Sequence, residues 1–314
     1  MITRRSLIAG LGAAALAHAA RLRASSAPYH LSILTDEVSQ DFGHACEVAS
    51  RDFGMGFVDL REAASKNVMN WDAAQIADVR RALDRFNLRV ACIASPIFKV
   101  DWPGAPKSSF SPKRDEFGAS FGFKEQDELL EKAFELTKTF NTDRIRIFDF
   151  WRLDDPKPHR AAIDEVIRGA AAKAAKRGVT LVLENEYACN TATGAEAGRL
   201  LKAIPDKALQ ITWDPGNAQF RDESPFPGGY AAIPKDRIGH VHCKDAAKKD
   251  GKWEWMAMGS GVIDWAGQFR ALKADGYRHA VTLETHWRGA GTPEASSRES
   301  FTGMKALLKK AGAE

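Results

Sequence analysis

Short stretches of alternating apolar and polar residues divide the chain into predicted β-strands. The clearest is residues 180–187, which read Thr-Leu-Val-Leu-Glu-Asn-Glu-Tyr. Because successive side chains of a strand point to opposite faces, Val182, Glu184 and Glu186 share one face. Comparable patterns predict seven further strands, at residues 30–35, 57–62, 88–94, 144–148, 209–214, 238–245 and 279–286.

Helical periodicity fills most of the segments between these strands. Residues 70–86 place Ile76, Val79 and Leu83 on one apolar face, and Asn70 is predicted to cap this helix. Further helices are predicted at residues 42–51, 124–140, 158–177, 193–204, 264–274 and 293–310, with a capping box at Thr193 and Glu196 and a cap at Asp264. Residues 96–123 and 248–261 are predicted to be long loops, which often serve as active-site lids.

Eight strand-helix units in alternation predict a parallel sheet. In a chain of this length they favour a single-domain (β/α)₈ TIM barrel, covering residues 29–314. An open doubly wound sheet is the main alternative. No Gly-x-Gly-x-x-Gly motif follows the first strand, so the usual sign of a dinucleotide site is absent.

Composition narrows the classes of partner. The 314 residues are 44% hydrophobic, enough for a large core, and the formal net charge is only +4. A nearly neutral chain argues against nucleic acid as the main partner. The four cysteines are widely separated and predict neither a zinc ribbon nor a disulfide framework. A homo-oligomer is compatible with this composition.

The N-terminus is typical of an export signal. Arg4 and Arg5 precede an apolar run at residues 9–17, and a small-x-small cleavage pattern follows at residues 17–19. We interpret residues 1–28 as a twin-arginine-type signal peptide and linker, which predicts a location in the periplasm or cell envelope. The apolar run is too short to span a bilayer, so no stable membrane insertion is expected after cleavage, although a retained anchor is the alternative.

Four predicted strands carry an ionisable group at or near the C-terminal end: Glu184, Asp214, His242 and Glu284. In a barrel these ends meet at one mouth, where active sites lie. Three carboxylates packed together without a cation would repel one another and lose hydration. The sequence therefore predicts one divalent metal ion, with Mn²⁺ favoured and Mg²⁺, Co²⁺ or Zn²⁺ as alternatives. A single residue of this kind is usually solvated or salt-bridged, but four in register are hard to explain in that way.

Five motifs give the chain a family resemblance. They are LVLENEY (181–187), WDPGN (213–217), HVHCKD (240–245), GSGVIDW (259–265) and VTLETHW (281–287). As an ordered set they resemble the xylose isomerase-like barrel superfamily, in its sugar epimerase and isomerase branch. The resemblance implies that Glu184, Asp214, His242 and Glu284 bind one divalent metal. It also implies that Glu184 and Glu284 act as acid and base on opposite faces of a sugar.

Six more residues are expected to contact such a substrate: Arg146, Glu186, Asn217, His240, Lys244 and Trp255. Lys244 is placed to stabilise a developing oxyanion, and a surface salt bridge with Asp245 is its alternative. Arg61 is a further candidate contact, and pairing within the protein is the alternative for both Arg61 and Arg146. Trp255 could pack its loop instead of stacking on a sugar. Asn217 stands where the family commonly has histidine, in an Asp-x-x-His pattern. This departure also counts against the three-zinc DNA-repair endonucleases of the superfamily.

The leading hypothesis is a metal-dependent sugar epimerase or isomerase. A carboxylate would remove the proton next to a carbonyl and form an enediolate, so each glutamate is expected to titrate near the working pH. The first alternative is a lyase or hydrolase of 3-keto-glycosides that uses the same metal and base. The second is a carbohydrate-binding barrel without turnover, against which the presence of both Glu184 and Glu284 counts.

Overall fold

The computed structural model describes residues 28–112 and 121–314. Eight strands form one sheet: β1 His30–Ile33, β2 Phe57–Leu60, β3 Arg89–Ile93, β4 Arg144–Ile147, β5 Thr180–Glu184, β6 Leu209–Trp213, β7 Ile238–Cys243 and β8 Ala280–Leu283. A helix follows each strand: α1 Phe42–Glu47, α2 Ala73–Phe86, α3 Gln126–Phe140, α4 Arg160–Arg177, α5 Gly194–Ala203, α6 Pro215–Gln219, α7 Trp265–Ala274 and α8 Pro293–Ala311.

The sheet is a nearly closed parallel barrel. Its order follows the chain from β2 to β8 and then returns to β1, and every neighbouring pair is parallel. The last gap, between β1 and β2, is bridged by Leu34 and Asp59. The predicted TIM barrel is therefore confirmed. The open doubly wound sheet is excluded, because in an open sheet the first and last strands, β1 and β8, would not pair with each other.

Strand periodicity determines which side chains face inward. Leu181 and Leu183 of β5 pack into the main hydrophobic core with Ile163 and Ile167 of α4. The other face of β5 carries Glu184 toward the barrel mouth, because the side-chain period of a strand is two. The chemistry at the strand ends is therefore held by a packed strand-helix layer.

Helix ends agree closely with the sequence signals. Thr193 and Glu196 form the predicted capping box, and Asp264 accepts the N–H of Gly267 as the predicted cap of α7. Asn70 is not a cap, and its prediction is wrong: α2 begins two residues later, where Asp72 accepts the N–H of Gln75. Both residues are good N-caps, so sequence preference alone does not separate them.

The predicted loop at residues 248–261 is also partly wrong. Asp245–Lys249 and Lys252–Met256 form an antiparallel hairpin, which we call the outer hairpin. Residues 252–255 alternate a charged residue with Trp. A pattern this short forms a stable strand only when a partner strand is present.

The predicted signal peptide lies almost wholly outside the described residues, so its role stays a prediction. Within residues 28–112 and 121–314, no helix combines the length and apolar character needed to cross a membrane.

Candidate metal and substrate site

Four side chains from successive strands meet at the C-terminal mouth of the barrel. Glu184 is the last residue of β5 and His242 is the penultimate residue of β7, whereas Asp214 and Glu284 directly follow β6 and β8. One ligand atom of each lies within 4.8 Å of those of the other three, and all four residues are buried. We call these residues the acidic cluster. The structure thus brings together the four residues that the sequence predicts as metal ligands.

Local hydrogen bonds orient two carboxylates of the acidic cluster. Asp214 is the N-cap of α6, and its Oδ1 accepts the backbone N–H of Asn217 at 3.0 Å. The Asn217 side chain donates from Nδ2 to Glu184 Oε1 at 3.1 Å. Asn185 donates to the Asp214 carbonyl at 2.8 Å and accepts the Asp214 N–H at 2.7 Å. These contacts use Asp214 Oδ1 for the helix cap and leave Oδ2 within the cluster.

Each carboxylate of the cluster has a cationic partner from another part of the barrel. The pairs are Arg146 Nη1 with Glu184 Oε2 at 3.2 Å, Arg61 Nη1 with Glu284 Oε1 at 2.5 Å, and Lys244 Nζ with Asp214 Oδ2 at 2.9 Å. Three cations of the chain itself thus lie against the three acids, although Arg61 also pairs with Asp36 and Glu37. The sequence argument that only a metal relieves repulsion among these acids omitted these partners.

Lys244 lies inside the acidic cluster. The residue is 1% exposed, and its Nζ is also 2.7 Å from Glu284 Oε2 and 3.5 Å from Glu184 Oε1. The alternative of a surface salt bridge with Asp245 is wrong. Asp245 is itself buried, and its Oδ2 accepts the backbone N–H groups of residues 259 and 261 at 2.9 and 3.1 Å.

The site strongly perturbs the pKa of its members. Burial raises the pKa of Asp214 to about 6, although the Lys244 ammonium opposes this change. Burial would lower the pKa of His242, but the carboxylates of Glu184 and Glu284 outweigh it and raise that pKa to about 10. Burial would likewise raise the pKa values of Glu184 and Glu284, but neighbouring cations, with Lys244 and His242 among the largest, lower both. This direction is opposite to the expectation that each glutamate titrates near neutral pH.

The charge of His242 leads to a pH-dependent prediction for the metal-free protein. Its folded-state pKa of about 10 lies above the ordinary 6.5, so the imidazolium stabilises the fold below pH 6.5, and this contribution is lost as pH rises toward 10. His242→Gln is expected to lower the free energy of unfolding by about 2 kcal/mol at low pH and by much less at high pH. Urea unfolding in EDTA at pH values from below 6.5 up to about 10 measures the difference in unfolding free energy between His242→Gln and the wild type.

His159→Gln is the matched control, because the His159 side chain makes no cap hydrogen bond at the start of α4. The control is expected to leave the free energy of unfolding close to that of the wild type. A His242→Gln defect of constant size at all pH values would contradict the assignment of an imidazolium at this position.

The donor set of the acidic cluster fits a divalent metal. Asp214 Oδ2 and Glu284 Oε2 are buried and accept no hydrogen bond of ordinary geometry from the described residues, even though Lys244 Nζ lies within ion-pair distance of both. Oxygen ligands with one imidazole suit Mn²⁺, Mg²⁺ or Zn²⁺. The imidazole is suitably turned, because His242 Nδ1 faces the carboxylates while Nε2 lies 4.0 Å from Asp59 Oδ2.

A cavity of about 330 Å³ opens onto the acidic cluster. Glu184 and Glu284 both line it, as do the predicted substrate contacts Arg146, Glu186 and Trp255. Its volume is at the lower end of the range for small-molecule sites. We call this cavity the mouth pocket.

Three predicted substrate contacts do not belong to the described lining of the mouth pocket: Asn217, His240 and Lys244. Asn217 is fully buried against Glu184. His240 is fully buried too, and its Nε2 lies 2.7 Å from Asp59 Oδ2 and 2.9 Å from Thr282 Oγ1. His240 shares a strand face with His242, but a residue two positions earlier lies one layer deeper in the barrel.

Sequence reasoning left Lys99 and His286 out of the predicted site, although both line the mouth pocket together with Arg61, which it named as a candidate contact. Lys99 lies 3.4 Å from Glu186 Oε2. His286 lies 3.3 Å from Glu37 Oε1 and has a left-handed backbone with φ of 46°, which is uncommon outside glycine and frequent at functional sites. Arg61 and His286 follow strand ends, so their positions gave a signal. Lys99 lies in a loop well beyond β3, so no strand-end position marked it as a candidate.

Aromatic rings form one side of the mouth pocket. Trp255 stacks on Phe220 with ring centroids 4.0 Å apart, and Tyr187 lies 5.3 Å from Phe220. These three rings, which we call the aromatic wall, come from the loop after β5, the C-terminal end of α6 and the outer hairpin, and Tyr187 and Trp255 among them line the mouth pocket. Flat apolar surfaces of this kind suit stacking against a sugar ring.

The family comparison covers most of the chain. A family model described as xylose isomerase-like TIM barrel matches residues 48–307. No curated protein matches the chain.

Solved structures share this architecture at low identity. A xylose isomerase-like TIM barrel/4-hydroxyphenylpyruvate dioxygenase fusion protein is 18% identical with a TM-score of 0.69, and the alignment covers 90% of this chain but only 43% of the fusion protein. The IolI protein with a bound zinc atom is 14% identical with a TM-score of 0.67 over 90% of this chain and 98% of its own. D-allulose 3-epimerase from Methylomonas sp. in complex with D-allulose is 18% identical with a TM-score of 0.62, over 90% and 97%.

Proposed function

Because the chain belongs to the xylose isomerase-like TIM barrel family, we propose that it is a metal-dependent sugar epimerase or isomerase. The observation that carries this proposal is the convergence of Glu184, Asp214, His242 and Glu284 beneath a cavity of sugar size. Structural relatives with a bound zinc atom and with bound D-allulose support it. We favour Mn²⁺ as the metal and the cell envelope as the location.

The acidic cluster would hold the metal. When bound, the ion supplies a Lewis acid that makes the carbon next to a substrate carbonyl more acidic. Glu184 and Glu284 approach the mouth pocket from β5 and β8, which are not neighbours in the sheet. One glutamate, ionised, would take the carbon-bound proton as the enediolate forms, and the other, which has to enter the reaction protonated, would give its proton to the opposite face.

Other residues of the mouth pocket would bind and orient the sugar. The Lys99–Glu186 pair offers both a donor and acceptors for hydroxyl groups. Arg146 holds Glu184 through Nη1, and its Nε and Nη2 donate to the Ser95 and Ala94 carbonyls at 3.3 and 3.0 Å. Arg146 is therefore largely committed to orienting Glu184.

Isotope exchange tests the proposed proton transfer directly. The Mn²⁺-loaded protein is incubated in D₂O with D-fructose, D-allulose and other free ketoses, and deuterium on carbon is followed by NMR. Incorporation at a carbon next to the carbonyl, with or without a new sugar, supports the proposal. Absence of exchange across the panel, with metal shown to be bound, would contradict it and would favour the non-catalytic barrel.

A 3-keto-glycoside lyase is the second candidate, and the aromatic wall favours it. Tyr187 and Trp255 line the mouth pocket together with Glu184 and Glu284, and both rings are partly exposed, so they would offer an apolar surface to a second sugar ring. In a lyase, the same enediolate would expel the glycosidic oxygen on the adjacent carbon, and the leaving sugar would take up a proton. Incubation with a 3-keto-disaccharide distinguishes the two, because only the lyase releases a free sugar.

Trp255→Ala is expected to distinguish the position of the reacting sugar ring, at the acidic cluster, from the position of a second sugar ring at the aromatic wall. Loss of one stacked aromatic surface should raise KM for a 3-keto-disaccharide by about tenfold. Proton exchange on a monosaccharide should change much less, because that substrate needs only the region around the acidic cluster. Steady-state kinetics on both substrates provide the measurement.

Trp253→Ala is the matched control on the same outer hairpin, since Trp253 Nε1 donates to the exposed Asp222 at 2.9 Å. Equal effects of Trp255→Ala on both substrates would argue that the aromatic wall only packs the hairpin.

A further inference from the structure

The position of Lys244 points to a property of the acidic cluster beyond metal binding itself. We propose that the Lys244 ammonium is an internal cation that occupies the metal-binding oxygens and must move toward the mouth pocket when a divalent metal binds. This inference rests on the proposed metal-dependent function and gives Lys244 a defined part in it.

The ammonium and the His242 imidazole meet at the same three oxygens. Lys244 Nζ lies 2.7 Å from Glu284 Oε2, 2.9 Å from Asp214 Oδ2 and 3.5 Å from Glu184 Oε1. His242 Nδ1 lies 2.9, 3.8 and 3.2 Å from the same three atoms. A metal bound by these four residues would therefore take up the position beside Lys244 Nζ, and two cations so close together repel strongly in a buried site.

The other two cations of the cluster do not conflict with a metal. Arg146 contacts Glu184 through Oε2, and Arg61 contacts Glu284 through Oε1, so each uses the carboxylate oxygen that His242 does not face. Both arginines can stay in place when the inner oxygens turn to a metal. Lys244 alone among these three cations has to leave.

The packing of Lys244 limits how it can move. Its Cβ lies so close to Gly216 that a side-chain carbon at position 216 would be only 2.9 Å away. The start of the side chain is thus held, and rotation is left to its flexible end. The ammonium already lies 5.4 Å from the centre of the Trp255 ring, which lines the mouth pocket. Movement toward that ring would bring Nζ to a bound substrate, where it can donate to a carbonyl or enediolate oxygen.

Metal titration of variants tests the competition. The protein is stripped with EDTA, and Mn²⁺ binding is measured by calorimetry for wild type, Lys244→Met and Arg146→Met. Competition predicts that Lys244→Met binds Mn²⁺ more tightly by about tenfold or more, and clearly more tightly than Arg146→Met. Arg146→Met is the matched control, because it also removes one positive charge beside the cluster but not from the shared oxygens.

The outcomes separate this inference from the proposed function. Equal affinity in wild type and Lys244→Met, or equal tightening in both variants, would overturn the inference and leave metal-dependent catalysis intact. Absence of metal binding in all three proteins would overturn the inference together with the metal-dependent mechanism. Binding by Lys244→Met alone would show that the wild-type ammonium is never displaced, and it would overturn both the proposed displacement and the metal-dependent function.

A second measurement uses the wild-type protein and does not depend on folding of a variant. Lysine amines are reductively methylated with and without saturating Mg²⁺, and the modified peptides are quantified by mass spectrometry. Lys244 is expected to be protected without Mg²⁺ and to become reactive with it, while the exposed Lys248 reacts in both samples. Protection of Lys244 in the Mg²⁺-saturated protein would overturn the proposed displacement.

Discussion

Glu284→Gln is expected to lower proton exchange between solvent and substrate carbon on the order of 10³-fold. Glu284 is buried, lines the mouth pocket and reaches the acidic cluster through Oε2 while Arg61 holds Oε1 at 2.5 Å. Glutamine keeps the shape and one coordinating oxygen but cannot accept a carbon-bound proton. Mn²⁺ is therefore expected to bind still, with lower affinity. Deuterium incorporation at saturating Mn²⁺ measures the effect on chemistry.

Glu254→Gln, on the exposed edge of the outer hairpin, is the control for this variant. It removes the same charge at a distance from the cluster and should leave both exchange and metal binding unchanged. A Glu284→Gln protein that exchanges at the wild-type rate would remove Glu284 from the proton-transfer step, and Glu184 alone would then have to carry it.

Asp214→Asn is expected to weaken Mn²⁺ binding by at least about 100-fold with little loss of folding stability. The two effects separate because the two oxygens of Asp214 have different roles. Oδ1 caps α6 by accepting the N–H of Asn217, and asparagine is an equally good cap. Oδ2 lies in the acidic cluster, where it accepts no hydrogen bond of ordinary geometry from the described residues. The amide removes the charge that a metal requires.

The folding stability of Asp214→Asn is expected to show the same separation between metal affinity and folding. Burial raises the pKa of Asp214 to about 6, so ionising this carboxyl costs more in the fold than in the unfolded chain. The neutral asparagine avoids this cost, and the metal-free variant should melt at or above the wild-type temperature. Calorimetric titration and thermal unfolding in EDTA measure the two properties, with Asp222→Asn at an exposed position as the control. Wild-type affinity in Asp214→Asn would place the metal elsewhere.

The strand ends explain why much of the site could be predicted. Glu184, Asp214, His242 and Glu284 stand at the ends of apolar strands, and parallel strands in a barrel bring equivalent ends to one rim. Neither the strand pattern nor the barrel geometry requires knowledge of contacts between residues far apart in the chain. The outer hairpin and the start of α2 were misjudged because a strand partner and a choice between two good N-caps depend on packing, not on local pattern.

The depth and pairing of side chains could not be predicted in the same way. His240 shares a face with His242, yet it is used by Asp59 and Thr282 in a deeper layer. Lys244 was expected to face substrate or solvent, and it instead contacts three carboxylates at 1% exposure. In each case the deciding partner comes from a strand far away in the chain.

By itself, the sequence determined an eight-fold strand-helix alternation and the four ionisable groups that its parallel strands deliver to one rim, because both follow from periodicity along the backbone. The contacts of these acids with cations from other parts of the barrel, such as Arg61 with Glu284 across 223 positions, emerge only from the folded chain. Pairing between distant strands depends on barrel closure and side-chain reach, which no local pattern records. Under the proposed function, that pairing would determine how a metal enters the site and which carboxylates remain to move a proton.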